Sequence, residues 1–187
     1  MSCAGRLEAL QFPRTTSGRS IGEPMAADIF AKLGDIKGES FDDKHKDEIE
    51  VLSFSWGVTS QNAPGAPGPV GAAAGKASFK DLTITHTIDK ASPLLLQACA
   101  TGMHLKEATI THRKSGKGQQ EFLIIKMNDV IITGVTHGGG GEGGQTSAET
   151  VNLTFAKVDL EYRPQKADGS VDAGLHFKYD LKTNKTF

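Results

Sequence analysis

Strand-like alternation slips phase three times along this chain, and that feature constrains its fold more than any other. In EIEVLSFSWGVTS (48–60) the apolar set is odd-numbered up to Val51 and even-numbered from Leu52 onward. Phe79 is odd, whereas Leu82, Ile84 and Ile88 are even. Val151, Leu153 and Phe155 are odd, and Val158, Leu160 and Tyr162 are even. Side chains on a strand alternate with a period of two, so a slip marks a bulge or a sharp bend. Repeated slips in long strands suit a closed or orthogonally packed barrel, whose strands turn corners. The competing reading is burial of both faces around each slip.

Thr, Val, Ile and Phe dominate the runs 29–33, 48–60, 78–88, 105–114, 121–135, 151–163 and 175–182, which predicts a mainly β chain. One helix interrupts them over 91–102. Ser92 offers an N-cap, Pro93 suits the first helical position and Gly102 the C′ position. Leu95, Ala98, Cys99 and Gly102 fall on one stripe, so the helix should pack on the barrel by that side. Cys99 reads as packing, since no His or acidic residue is close in sequence. The predicted architecture is a β-barrel of two packed antiparallel sheets with one short flanking α-helix.

At 187 residues the chain has room for one domain. Residues 1–24 are polar and aperiodic, and a regular pattern begins at Met25. The first segment reads as a leader, a fusion scar or a disordered extension, and 25–187 as the barrel domain. Hydrophobic residues at 37% and charged residues at 23% suffice for a core. A net charge of −1 gives no footprint for nucleic acid or for a polybasic membrane contact. No apolar run reaches the ~18 residues of a membrane span, and the N-terminus lacks the pattern of a signal peptide. Cys3 and Cys99 are too few and too far apart for a zinc ribbon or a disulfide framework.

Motifs for chemistry fail one by one. VGAAAGKA (70–77) resembles a phosphate-binding loop, but Val70 stands where the first glycine belongs and Ala77 where a hydroxyl belongs. A strand pattern follows, not a helix whose N-terminus would hold the anion. The six histidines form neither H-x-H nor H-x-x-x-H, and His86 and His112 read as ordinary polar residues on strand faces. The cluster Asp42 to Glu50 reads as a solvated, mixed-charge loop and lacks the ligand spacing of a calcium loop. G-x-S-x-G is absent, and no nucleophile has an adjacent base. No catalytic, cofactor or metal residue is assigned, which favours a structural or binding protein over an enzyme.

Two loops, QNAPGAPGPVGAAAGK (61–76) and THGGGGEGGQT (136–146), cannot bury a core of their own and should order only against a partner. Alanine and glycine let the first approach a neighbour closely. Gln61, Pro64, Gly65, Pro67, Gly68, Gly71, Gly75 and Lys76 are its candidate contact residues. In Phe54-Ser55-Trp56 the aromatics should enter the barrel wall, which leaves Ser53, Ser55 and Gly57 on the opposite face.

MAADIFAKLGDIKGES (25–40), EIEVLSFSWGVTS (48–60), IDKASPLLLQACATGMH (88–104) and VDLEYRPQKADGS (158–170) resemble the haemolysin-coregulated protein (Hcp) family of the bacterial type VI secretion system. The resemblance runs from Met25 to the C-terminus. It implies six subunits closed into a hexameric ring and rings stacked into a tube, with spike, sheath and effector proteins as partners. It places Ser55 in the channel beside the effectors, and in such a tube 61–76 is expected to reach toward the adjoining ring or subunit and to order there. It implies no cofactor, no nucleic acid and no membrane insertion. Export would run from the bacterial cytoplasm through the apparatus to the outside, without a signal peptide. A different class, a monomeric β-barrel binding module for a small ligand, remains the alternative.

Overall fold

The computed structural model describes residues 27–60, 77–114, 119–139, 147–166 and 170–187. Within them the apolar runs become ten strands and one helix. The strands are β1 (Ala27–Leu33), β2 (Ile49–Ser55), β3 (Val58–Ser60), β4 (Ala77–Phe79), β5 (Leu82–Thr87), β6 (His104–Lys114), β7 (Glu121–Gly138), β8 (Ala148–Thr154), β9 (Lys157–Tyr162) and β10 (Leu175–Asp180). Helix α1 (Ser92–Thr101) lies between β5 and β6.

Hydrogen bonding runs in the order β7-β6-β1-β2-β5-β8, and β8 pairs back onto β7, so six antiparallel strands close a barrel. On the other side of the first half of β7 the sheet continues through β9 to β10. β3 and β4 form a separate two-stranded ribbon. The predicted two-sheet barrel with a flanking helix is therefore present.

The interior is filled. Leu33, Ile49, Leu82, Ile84, Ile110, Ile125, Met127, Ile132 and Leu153 are at most 2% exposed. Each such side chain contributes roughly 1.5–3 kcal/mol of burial, so the barrel is a core and not a pore.

The phase slips take three structural forms. In β2 the register to β5 shifts between Val51 and Ser53, as the sequence predicts for a bulge. The displaced residue is Leu52, which turns out to solvent at 63% exposure, against its assignment to the inner set. The slip between Phe79 and Leu82 is not a bend within one strand, because β4 and β5 belong to different sheets. The slip after Phe155 separates β8 from β9. There Phe155 and Ala156 are buried, and the Ala156 N–H donates to the Asn128 carbonyl at 3.0 Å.

A fourth slip, in β7, was not predicted. Ile125 and Met127 are buried, and then Val130 and Ile132. Asp129 between them has φ 51°, a left-handed conformation that Asp tolerates better than most residues. On one side of this kink β7 pairs β9 through Asn128, and beyond it β7 pairs β8 from Ile131.

Helix α1 buries Ser92, Leu95 and Ala98, and Cys99 packs half-buried against the core. Gly102 ends the helix at φ 62°, and the Met103 N–H closes back on the Ala98 carbonyl at 2.9 Å. The N-terminus corrects the sequence reading. Ser92 does not cap the helix; its Oγ accepts from the Asp89 N–H at 3.2 Å, while Asp89 Oδ1 accepts from the Ala91 N–H at 2.8 Å. Ala91 is the cap position, with no side-chain cap hydrogen bond, and Ser92 is the first helical residue.

Candidate contact wall on β2

Strand β2 presents its outer face between β1 and β5. Glu50 and Leu52 are exposed ahead of the bulge, and Ser53 and Ser55 beyond it. Phe54 and Trp56 pack against the core, as the alternation predicts, and Gly57 is half-buried. The bulge is what brings Ser53 and Ser55 to the outer wall while Phe54 turns inward. Ser55 and Gly57 line a recess of about 460 Å³ with Thr83 and Asn152. The Thr83 hydroxyl donates to Asn152 Oδ1 at 2.8 Å, which fixes the floor of that recess.

Trp56 belongs to an aromatic cluster that holds the β3–β4 ribbon. Its ring lies 6.1 Å from Phe79 and 5.8 Å from Phe155, and Phe79 lies 4.8 Å from Tyr179. The ribbon carries the 61–76 segment, and so Gln61, Pro64, Gly65, Pro67, Gly68, Gly71, Gly75 and Lys76 lie outside the described residues. The same holds for the glycines at 140–146.

Along the wall from Ser53, a groove of about 620 Å³ runs between β2 and the 39–42 segment. Its lower edge is set by Arg113, 3% exposed, whose Nη2 donates to Asp42 at 2.7 Å and to Asp28 at 3.0 Å. Beneath it the guanidinium lies 4.9 Å from the Phe30 ring centre, and Phe30 stacks on His45 at 4.3 Å. His45 Nδ1 reaches Glu48 at 2.9 Å, and its Nε2 lies 3.5 Å from Glu121. This corrects the reading of 42–50 as a solvated loop. Asp42 and His45 are folded onto the outer face of β1 and β6, where Asp42 pairs with Arg113 and His45 stacks on the buried Phe30. Arg113 holds the Asp42 carboxyl down at about 2, chiefly by their hydrogen bond.

The two strand histidines differ from their sequence reading. His86 is fully buried and meets the fully buried Glu149 at 3.2 Å. His112 is half-buried between Phe54 and Phe122, and burial lowers its basicity. Neither pairing has a sequence signal, because strand register brings the partners together. Among the described residues no group of three His, Cys, Asp or Glu is placed to hold a metal ion. The wall therefore offers small hydroxyls, an apolar rim and carboxylates, a chemistry of contact.

Residues 30–162 match a family model described as "Type VI secretion system effector, Hcp". The "Protein hcp1" of Pseudomonas aeruginosa is 43% identical over 162 residues, spanning 86% of this chain and 98% of that protein. The crystal structure of Hcp1 from Salmonella typhimurium superposes with a TM-score of 0.71 at 38% identity, covering 87% of this chain and 100% of that one. A structure described as "a type six secretion system protein" superposes with a TM-score of 0.81 at 31% identity and the same coverages.

Proposed function

This chain belongs to the Hcp family of type VI secretion system proteins, and on that premise we propose that six copies close into a ring and that rings stack into a secreted tube. The observation that carries the reading is a barrel filled with side chains, with the groove and recess described above on its outside. Such a tile acts by packing against copies and cargo. A head-to-tail contact whose rotation closes gives a ring, and a second along the axis grows a tube.

In this arrangement the outer face of β2 lines the channel, with Ser53, Ser55 and Gly57 against the effectors. Small side chains there leave the channel open to varied cargo. The ribbon of β3 and β4, held by Trp56 and Phe79, carries 61–76 toward the adjoining ring. Spike and sheath proteins are the further partners, and the route out of the cytoplasm is the apparatus itself. The tube subunit carries out no reaction. A monomeric barrel that binds a small ligand in its interior is disfavoured, because Leu82, Ile84, Ile132 and Leu153 occupy that space.

Mass in solution tests the ring. The purified chain should elute at six times 19.8 kDa, and image averages should show a hole. A lone subunit at every concentration would overturn the reading.

A further inference from the structure

The groove beside Ser53 carries a chemistry that a plain contact wall does not need. Phe41 on its roof is 94% exposed and Leu52 on its floor 63%, so two large apolar side chains face solvent across it. Exposed apolar surface rimmed by polar groups marks an interaction site. The rim is acidic. Glu39, Glu50 and Asp89 line it, together with the two carboxylates that hold Arg113, and Arg113 is the single cation in the lining. Glu39 and Asp89 accept backbone N–H groups of Lys90 and Ala91, which leaves their charge in place. Arg113 is itself paired with Asp28 and Asp42, so it does not offset the other carboxylates.

We infer that this groove is a cargo subsite, and that it takes an extended segment in which apolar side chains alternate with Lys or Arg. Apolar groups pack between Phe41 and Leu52, and cations meet Glu39, Glu50 and Asp89. The inference rests on the reading that β2 lines the channel, since the groove continues the wall of Ser53. A second copy of this chain fits less well. Its exposed apolar edge at Leu175 and Phe177 carries lysines already paired at home, Lys178 with Asp159 and Lys157 with Asp180. Lys178 and Lys157 would have to give up those pairs to meet an acidic rim.

The full chain is titrated with two labelled peptides, one alternating Leu and Lys, the other Leu and Glu, read by fluorescence anisotropy. The Leu/Lys peptide should bind, and binding should weaken at least about tenfold between low salt and about 0.5 M salt as the charges are screened. Glu50→Lys and Leu52→Ser, both on exposed side chains, should each weaken it about tenfold with the thermal melt unchanged. Equal binding of the Leu/Glu peptide, or unaltered binding by both variants, overturns the inference. So does loss of ring mass in either variant, which would assign the groove to contact between copies. Rings that ignore the Leu/Lys peptide remove this subsite and leave the tube standing. A lone subunit that binds it removes the tube and leaves the groove.

Discussion

His86 and Glu149 stand directly opposite one another on β5 and β8, both fully buried, with His86 Nε2 3.2 Å from the carboxylate. His137 on β7, also opposite Glu149, brings its Nε2 within 2.6 Å of the other oxygen. A carboxylate only accepts, so the His86 Nε2–H donates to it, whereas the His137 contact is one of proximity, and Glu149 Oε2 has no hydrogen-bond partner among the described residues. A buried carboxylate that loses a partner is destabilising by about 3–5 kcal/mol, whereas removing the pair together is often near neutral. His86→Leu should therefore lower stability by that order in urea unfolding, and His86→Leu with Glu149→Leu should recover most of it. A double variant as unstable as the single one would show that packing, not charge, governs this site.

Asp42 and Arg113 set an acid limit. The Asp42 carboxyl titrates at about 2 in the folded chain against an ordinary value of 3.8. A depressed folded value means the pair stabilises fully above the ordinary value and is lost as pH falls toward the folded one. Unfolding midpoints should thus drop between about pH 4 and about pH 2, and Asp42→Asn should flatten that limb while lowering stability at neutral pH. Parallel acid limbs for the two proteins would exclude Asp42 as the titrating group.

Gly38 holds the 39–42 roof against the strand that follows it. A Cβ there would sit 2.4 Å from the Glu48 carbonyl oxygen, a backbone atom with nowhere to go. The Gly38 N–H also donates to the Asp47 carbonyl at 2.8 Å. Gly38→Ala should cost about 1–3 kcal/mol as overpacking does, and the displaced roof should weaken binding of the Leu/Lys peptide. An unchanged melt would mean the roof yields more readily than its hydrogen bonds imply.

Phe79 fastens the β3–β4 ribbon through Trp56 and Tyr179. Phe79→Ala should cost about 2 kcal/mol, less than a fully buried aromatic, since the site is half-buried. Amide exchange should accelerate over Val58–Ser60 and Ala77–Phe79 while the barrel amides stay protected. If 61–76 joins rings, this variant should still form single rings and stack poorly; normal tubes from it would separate the ribbon from stacking.

What could be read from the sequence was local. The slip at Val51 and Leu52 announced a bulge because every other apolar residue around it alternates cleanly. The kink at Asp129 was hidden in the run Phe122 to Ile125, where both strand faces are apolar. Ile124 is buried although it lies on the face opposite Ile125 and Met127, and burial of both faces leaves no periodic trace. The partnership of Arg113 with Asp42 spans 71 residues and that of His86 with Glu149 spans 63, so only the closed register could reveal them. Ser92 misled for a simpler reason: the helix begins with Ala91 at the cap position, and the Ser92 Oγ turns back to the Asp89 N–H.

The double duty of β7 bears on how the chain is born. Its first half must find β9 and its second half β8, and both partners are translated after it. A ribosome that has released β5 has made a strand whose neighbour, Glu149 included, does not yet exist. Until residues 148–162 emerge the sheet is an open ribbon with sticky flanks, so the nascent tile is most exposed to misassociation just before completion.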